Sequence, residues 1–195
     1  MNSELAGFIL AGGKSSRMGS DKAFLKLQGQ TLLARALQLV RGIAADVRIV
    51  GPRGKFEQLG PVVEDLYSDR GPLGGIHAAL SASTKNLNLI LAVDLPRVEA
   101  AFLEQLVAKA STGEALVTVP RAGGGWQPLC AVYRRGFLDF ADRALQEGRN
   151  KIDPLFKNIP LAVIEESDLT EAGFSTTMFQ NLNTPAEFHA ARQAP

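Results

Sequence analysis

Cysteine is nearly missing from this 195-residue chain: Cys130 stands alone, which excludes an intrachain disulfide and a thiolate-rich metal site. It sits in the apolar run Leu129-Cys130-Ala131-Val132-Tyr133, where a packed core thiol is expected rather than a reactive one. Histidine is scarce as well. The two present, His77 and His189, show no spacing with other ligand types and read as structural rather than as metal or acid–base groups. Nor is there a charge excess: 21 Lys and Arg against 20 Asp and Glu leave a net charge of +1, too little for a global field that draws nucleic acid or a membrane surface. Apolar runs such as residues 87–93 are interrupted by polar residues, so no transmembrane helix is expected. Met1-Asn2-Ser3-Glu4 puts no basic region ahead of the short apolar stretch, which argues against a signal peptide and makes the cytoplasm the expected location. With no composition shift and no internal repeat, residues 1–195 are expected to form a single domain around one substantial core.

What the chain does contain begins at residues 5–10. Leu5, Ala6, Phe8, Ile9 and Leu10 make an apolar run too short for an ordinary helix and without the strict alternation of a half-exposed strand, as suits the centre of a parallel sheet. Ala11, Gly12 and Gly13 follow, and the glycines let backbone approach a ligand closely. Then come Lys14, Ser15, Ser16, Arg17 and Lys22, cations and hydroxyls beside backbone N–H groups, a composition that can form a concavity for a polyphosphate. An ordinary βα turn with solvated charges is the competing reading. The spacing matches neither G-x-x-x-x-G-K-[ST] nor G-x-G-x-x-G.

Further along, Thr31 is a candidate N-cap for a helix over 32–41 that Gly42 ends, followed by strands over 47–50 and 61–65, the latter presenting Asp65 at its end. Residues 66–75 are rich in turn formers and read as a functional loop, or as a surface loop whose Pro72 starts a helix; that helix is expected over 76–82. A strongly apolar strand over 88–93 ends in Asp94-Leu95-Pro96. A carboxylate at the end of a central parallel strand faces the crevice where open α/β sheets bind ligands, and one Asp with phosphate oxygens and water suffices for a magnesium ion. An Asp there can equally serve as a turn or cap residue. A helix over 100–110, strands over 115–119 and 129–133, a helix over 136–147 and a strand over 161–165 complete the expected order, with Gly123, Gly124 and Gly125 as a glycine-rich loop. Trp126 offers an aromatic face for packing or stacking, and the basic corner Gly148-Arg149-Asn150-Lys151 is either a phosphate contact or a solvated helix end.

The segment L-A-G-G-x-S-x-R-M-G-x-D-K, residues 10–22, resembles the signature of nucleoside-triphosphate transferases that join a nucleotide to a phosphorylated acceptor. Its double glycine is most similar to that of the molybdenum cofactor guanylyltransferases, where many relatives carry Leu-Ala-Ala-Gly. Three further stretches resemble family motifs in the expected order: D-x-x-x-x-x-G-P-L-x-G at residues 65–75, Asp94-Leu95-Pro96, and N-x-N-T-P-x-E at residues 181–187, the last also a helix start in any fold. Trp126-Gln127-Pro128-Leu129 resembles the acceptor-side motif. One departure is plain, since members often carry Asn after the second strand and this chain has Val50-Gly51-Pro52.

The resemblance implies a Rossmann-like three-layer α/β domain with a mostly parallel central sheet, of the nucleotide-diphospho-sugar transferase type. It implies a nucleotide held by Leu10, Ala11, Gly12, Gly13, Lys22, Asp65, Gly75 and Asp94, with Mg2+ on Asp94. Catalysis would fall to Arg17, Lys22 and Asp94, and the acceptor to Gln127, Pro128, Asn181 and Asn183. The implied partners are GTP and molybdenum-bound molybdopterin, with transient contacts to other cofactor-biosynthesis proteins and neither nucleic acid nor membrane. The implied reaction moves GMP to the pterin phosphate and releases pyrophosphate. A cytidylyltransferase or other small-acceptor transferase of the same fold is the nearer alternative; a non-catalytic nucleotide-binding regulator is the more distant one, disfavoured by Arg17, Lys22 and Asp94 together.

Overall fold

The computed structural model describes residues 2–12, 21–67 and 69–182, with side chains from Glu4 onward. Strand β1 (Asn2–Leu10) runs through the centre of the main sheet, between β4 (Ala44–Val50) and β6 (Leu87–Ala92), parallel to both. The sheet continues from β4 to β5 (Val62–Val63), and from β6 through β9 (Cys130–Arg134) to β7 (Val117–Ala122) and β10 (Leu161–Ile164). Strand β9 is antiparallel to both its neighbours, and β8 (Gly125–Trp126) folds back on β7 as a short hairpin, so the sheet is mostly parallel with this antiparallel insertion.

Alternation along β1 builds the layers. Leu5 and Ile9 point to the side covered by α1 (Leu32–Arg41) and α4 (Ala100–Thr112), whereas Ala6, Phe8 and Leu10 point to the side covered by α3 (Gly71–Ala82) and α5 (Leu138–Gln146). Because both faces are covered, β6 is buried along its whole length. Gly7 admits α1: a Cβ there would lie 2.3 Å from Cγ1 of the buried Val40. Asn88, buried within β6, donates through Nδ2 to the Lys85, Asn86 and Tyr133 carbonyls. Cys130 is a fully buried core thiol, and burial pushes its pKa up.

Several boundaries differ from the sequence expectation. The helix expected over 76–82 begins five residues earlier, because Gly71-Pro72 forms its first turn and the following glycines face packed neighbours rather than a loop. The strand expected over 61–65 is only Val62–Val63, so Asp65 stands in the loop beyond it. The strand expected over 115–119 runs Val117–Ala122, since Pro120 bonds to its neighbours through its carbonyl alone. The helix expected over 136–147 opens with a 3-10 turn at Arg135–Phe137. Thr31 caps α1 as expected, accepting from Ala34 N at 3.2 Å. The short elements β2 (Lys26–Leu27), β3 (Gln30–Thr31), α2 (Arg53–Phe56), α6 (Asp153–Phe156) and α7 (Glu166–Glu171) were not anticipated. Among the described residues no helix is long and apolar enough to cross a membrane.

Candidate active site

Successive connections from β1 leave first toward β4 and then toward β6 on its other side, which makes the carboxyl end of β1 a topological switch point. A cleft of about 780 Å³ opens there. Its walls are strand ends: Leu10, Ala11 and Gly12 after β1, Val50, Gly51 and Pro52 after β4, Glu64 and Asp65 after β5, and Ala92, Val93 and Asp94 after β6. Asp69, Gly71, Pro72 and Gly75 close one side, and Lys22 and Leu129 complete the lining. The floor is tied by backbone bonds, with the Ala11 and Gly12 N–H groups both donating to Val50 O at 3.0 Å and Val93 N donating to Leu10 O at 3.1 Å.

Lys22 and Asp94, 72 positions apart, meet in this cleft at 3.0 Å between Nζ and Oδ2, each side chain about one-fifth exposed (19% for both). Lys22 opens a 3-10 turn capped by Asp21, whose Oδ1 accepts from Ala23 N at 3.0 Å. Lys55 of α2 forms an ion pair with Asp21 and lies over the Phe56 ring, 5.2 Å from its centroid. Thus an element absent from the sequence reading steadies the turn that aims Lys22. The Asp94 carbonyl accepts from Leu182 N at 3.1 Å, bringing the Asn181-Leu182 segment beside the strand end that carries the carboxylate.

On the other side, Asp65 Oδ1 accepts from Tyr67 N at 3.2 Å. Its carboxylate lies against α3 where Gly74 has no side chain; a Cβ on Gly74 would stand 2.9 Å from Oδ2 and 3.0 Å from Oδ1. Desolvation raises the Asp65 pKa, opposed by the Tyr67 N–H and by the charge of His77. Close approach of helix backbone to carboxylate is therefore what Gly74 permits.

Of the residues expected to bind nucleotide, Leu10, Ala11, Gly12, Lys22, Asp65, Gly75 and Asp94 line this one cleft. Gly13, Arg17 and Asn183 lie outside the described residues, as do the other residues of 13–20 and those from 183 onward where a last helix is expected to start. Gln127 and Pro128 are not part of the cleft wall. Gln127 donates through Nε2 to Ala122 O at 3.0 Å, and Pro128 O accepts from the Tyr133 hydroxyl at 2.8 Å, so both brace the β8–β9 corner from which Leu129 reaches the cleft. Trp126 packs edge-on against Phe156 and under the Arg121 guanidinium. Glu64 and Asp69 were missed by sequence reasoning, although both flank or fall inside the Asp65 to Gly75 pattern. His77 is buried as a structural histidine should be, yet its Nε2 stands 3.3 Å from Asp142 Oδ1.

A family model described as the MobA-like NTP transferase domain matches residues 7–159. A molybdenum cofactor guanylyltransferase from Desulfosudis oleivorans is 35% identical over 198 residues, covering 97% of this chain and 95% of that protein. The chain belongs to the molybdenum cofactor guanylyltransferase family. A probable guanylyltransferase of the same name from Pelotomaculum thermopropionicum is 34% identical across 97% of this chain and 92% of its own length. Among solved structures, molybdopterin-guanine dinucleotide biosynthesis protein A from Archaeoglobus fulgidus has a TM-score of 0.84 at 24% identity, covering 96% of this chain and 97% of that one. The 2-C-methyl-D-erythritol 4-phosphate cytidylyltransferase from Thermus thermophilus reaches 0.69 at 16% identity, covering 95% and 96%. The two structures agree with this guanylyltransferase-family chain in fold, the mostly parallel α/β architecture expected from the sequence. Since a cytidylyltransferase shares that architecture, the sheet alone does not set the choice of base, which falls to the groups that line the cleft.

Proposed function

We propose that this chain transfers GMP from Mg-GTP to the phosphate of molybdenum-bound molybdopterin, with pyrophosphate as the leaving group. The observation that carries the reading is the convergence of Lys22, Asp94 and Asp65 on one cleft at the sheet's switch point, in a chain of this family.

In this reading the triphosphate lies along Ala11, Gly12 and the phosphate loop, while Asp65 takes the guanine and ribose end. An acceptor phosphate oxygen attacks the α-phosphorus, forming one P–O bond as the bond to the departing pyrophosphate breaks. No protein nucleophile is needed, so positioning and charge stabilisation supply the rate. Lys22 Nζ, already in the cleft against Asp94, is placed to stabilise charge growing on phosphate oxygens; Arg17 joins it by family analogy. Asp94 fits a magnesium site on donor chemistry: it is a partly exposed strand-end carboxylate in the cleft, and Mg2+ is commonly bound by one or two carboxylates with phosphate oxygens and water. Bound there, the ion would neutralise phosphate charge and polarise the reacting phosphoryl group. The bond from Leu182 N to the Asp94 carbonyl supports Asn181 as a contact for the acceptor.

Calorimetric titration of GTP and CTP with magnesium tests the base. GTP should bind at least about tenfold more tightly, a difference of about 1.4 kcal/mol; equal affinities or a CTP preference would transfer the chain to the cytidylyltransferase alternative. Asp94→Asn should abolish transfer with the fold intact, and full activity of that variant at limiting magnesium would refute the metal role.

A further inference from the structure

The loop that carries Asp65 is tied to a helix that forms no part of the cleft. Tyr67 donates its hydroxyl to Asp142 Oδ1 on α5 at 2.8 Å, a bond spanning 75 positions. The same carboxylate receives Gln146 Nε2 on Oδ2 at 2.8 Å and meets His77 Nε2 at 3.3 Å. The Tyr67 ring stands edge-on to the His77 imidazole, with centroids 5.0 Å apart. Asp142 is therefore oriented from two sides, and the hydrogen bond from Tyr67 is charge-assisted, consistent with the rise it causes in the phenol's pKa. The other end of Tyr67 matters equally, because its backbone N–H donates to Asp65 Oδ1.

We propose that Tyr67 and Asp142 are positioning residues for nucleotide recognition: Asp142 fixes the Tyr67 side chain, and Tyr67 fixes the orientation of the Asp65 carboxylate. The proposal rests on the reading of Asp65 as the contact for the base and ribose end. The geometry favours this role over simple loop packing for two reasons. The loop is short and conformationally demanding, with Asp69 in the left-handed region at φ 61°. A second long-range tie among the described residues, Arg70 Nη1 to Asn150 Oδ1, is exposed and long at 3.5 Å, so the Tyr67 hydroxyl is the stronger restraint of the two.

The test is a double-mutant cycle read by GTP affinity and steady-state kinetics. Tyr67→Phe removes one hydroxyl from a partly exposed side chain and should weaken GTP roughly five- to tenfold, raising KM by more than it lowers kcat. Asp142→Asn should act in the same direction. In an Asp65→Asn background, Tyr67→Phe should add less than about twofold, because its effect passes through that carboxylate. Full GTP affinity in Tyr67→Phe, or an equal loss in both backgrounds, overturns the proposal. Should Asp65→Asn itself bind GTP as tightly as the native chain, the reading of Asp65 fails along with it; a weak Asp65→Asn beside an unaffected Tyr67→Phe defeats only the positioning tie.

Discussion

Gly74→Ala sets two consequences of one methyl group against each other. Gly74 lies in the first turns of α3, and replacing a helical glycine by alanine favours the helix by about 0.8–1 kcal/mol. The new Cβ, however, would lie 2.9 and 3.0 Å from the two Asp65 carboxylate oxygens and 3.3 Å from Arg70 Cβ. Those oxygens end a short, largely exposed side chain, so the carboxylate yields by a few tenths of an ångström or more and gives up its bond from Tyr67 N, worth about 0.5–1.5 kcal/mol. Gain and loss nearly cancel, and thermal stability should stay within a few degrees of native. Nucleotide binding has no such compensation. In the proposed reading a displaced carboxylate weakens its charged hydrogen bond to the base or ribose, by about 1.4 kcal/mol or roughly tenfold in affinity. Thermal melting of the free protein beside calorimetric titration with GTP separates the effects. Native affinity in Gly74→Ala would refute the role of a fixed Asp65, and a collapse in melting temperature would show that α3 cannot take a side chain there.

If Lys22 stabilises charge that grows in the transition state, as proposed, Lys22→Ala should lower the saturated single-turnover rate by more than it weakens GTP binding; affinity loss alone would make it a ground-state clamp. Asp65→Asn should weaken GTP about tenfold yet leave the free protein at least as stable at neutral pH. A raised carboxyl pKa means a stabilising contribution that is complete below the unfolded value and fades as pH rises through the folded one, so the ionised form opposes folding, by no more than about 0.5 kcal/mol at so exposed a site. Melts at pH 7.5 and pH 4 should show that advantage shrinking in acid, and an advantage that grew there would contradict the sign. Gly7→Ala should destabilise by about 1–3 kcal/mol through overpacking against Val40, and an unchanged melting temperature would show that α1 can withdraw from β1.

Legibility followed the physics that each segment reports. The apolar strand cores at 5–10 and 88–93 were readable because burial on both faces demands unbroken hydrophobic runs, and the carboxylate after the second run follows from its place at a strand end. Asp65 was readable as a cleft residue only through its pattern with Gly71 to Gly75, for the strand before it is too short to leave a periodicity. The start of α3 was hidden because Gly-Pro-Leu-Gly-Gly has the composition of a loop; its glycines serve close packing against Asp65 and Leu10, which a linear pattern does not encode. The partners of Lys55 and Asp142 were not legible for a related reason, since ion pairs and hydrogen bonds across tens of positions leave no local spacing.

The bond from Leu182 N to the Asp94 carbonyl joins the second half of the chain to a turn formed by the first. Its loop closes over 88 residues, about as many as separate the paired strands β1 and β6, and during synthesis it can form only once residue 182 has been added. During synthesis the Asp94 side of the cleft would therefore lack this bond while the strands around β1 can already pair. A nascent or truncated chain ending before Leu182 would keep the strands around β1 but lack this tie on the Asp94 turn, so that the turn would be fixed in a step separate from the sheet.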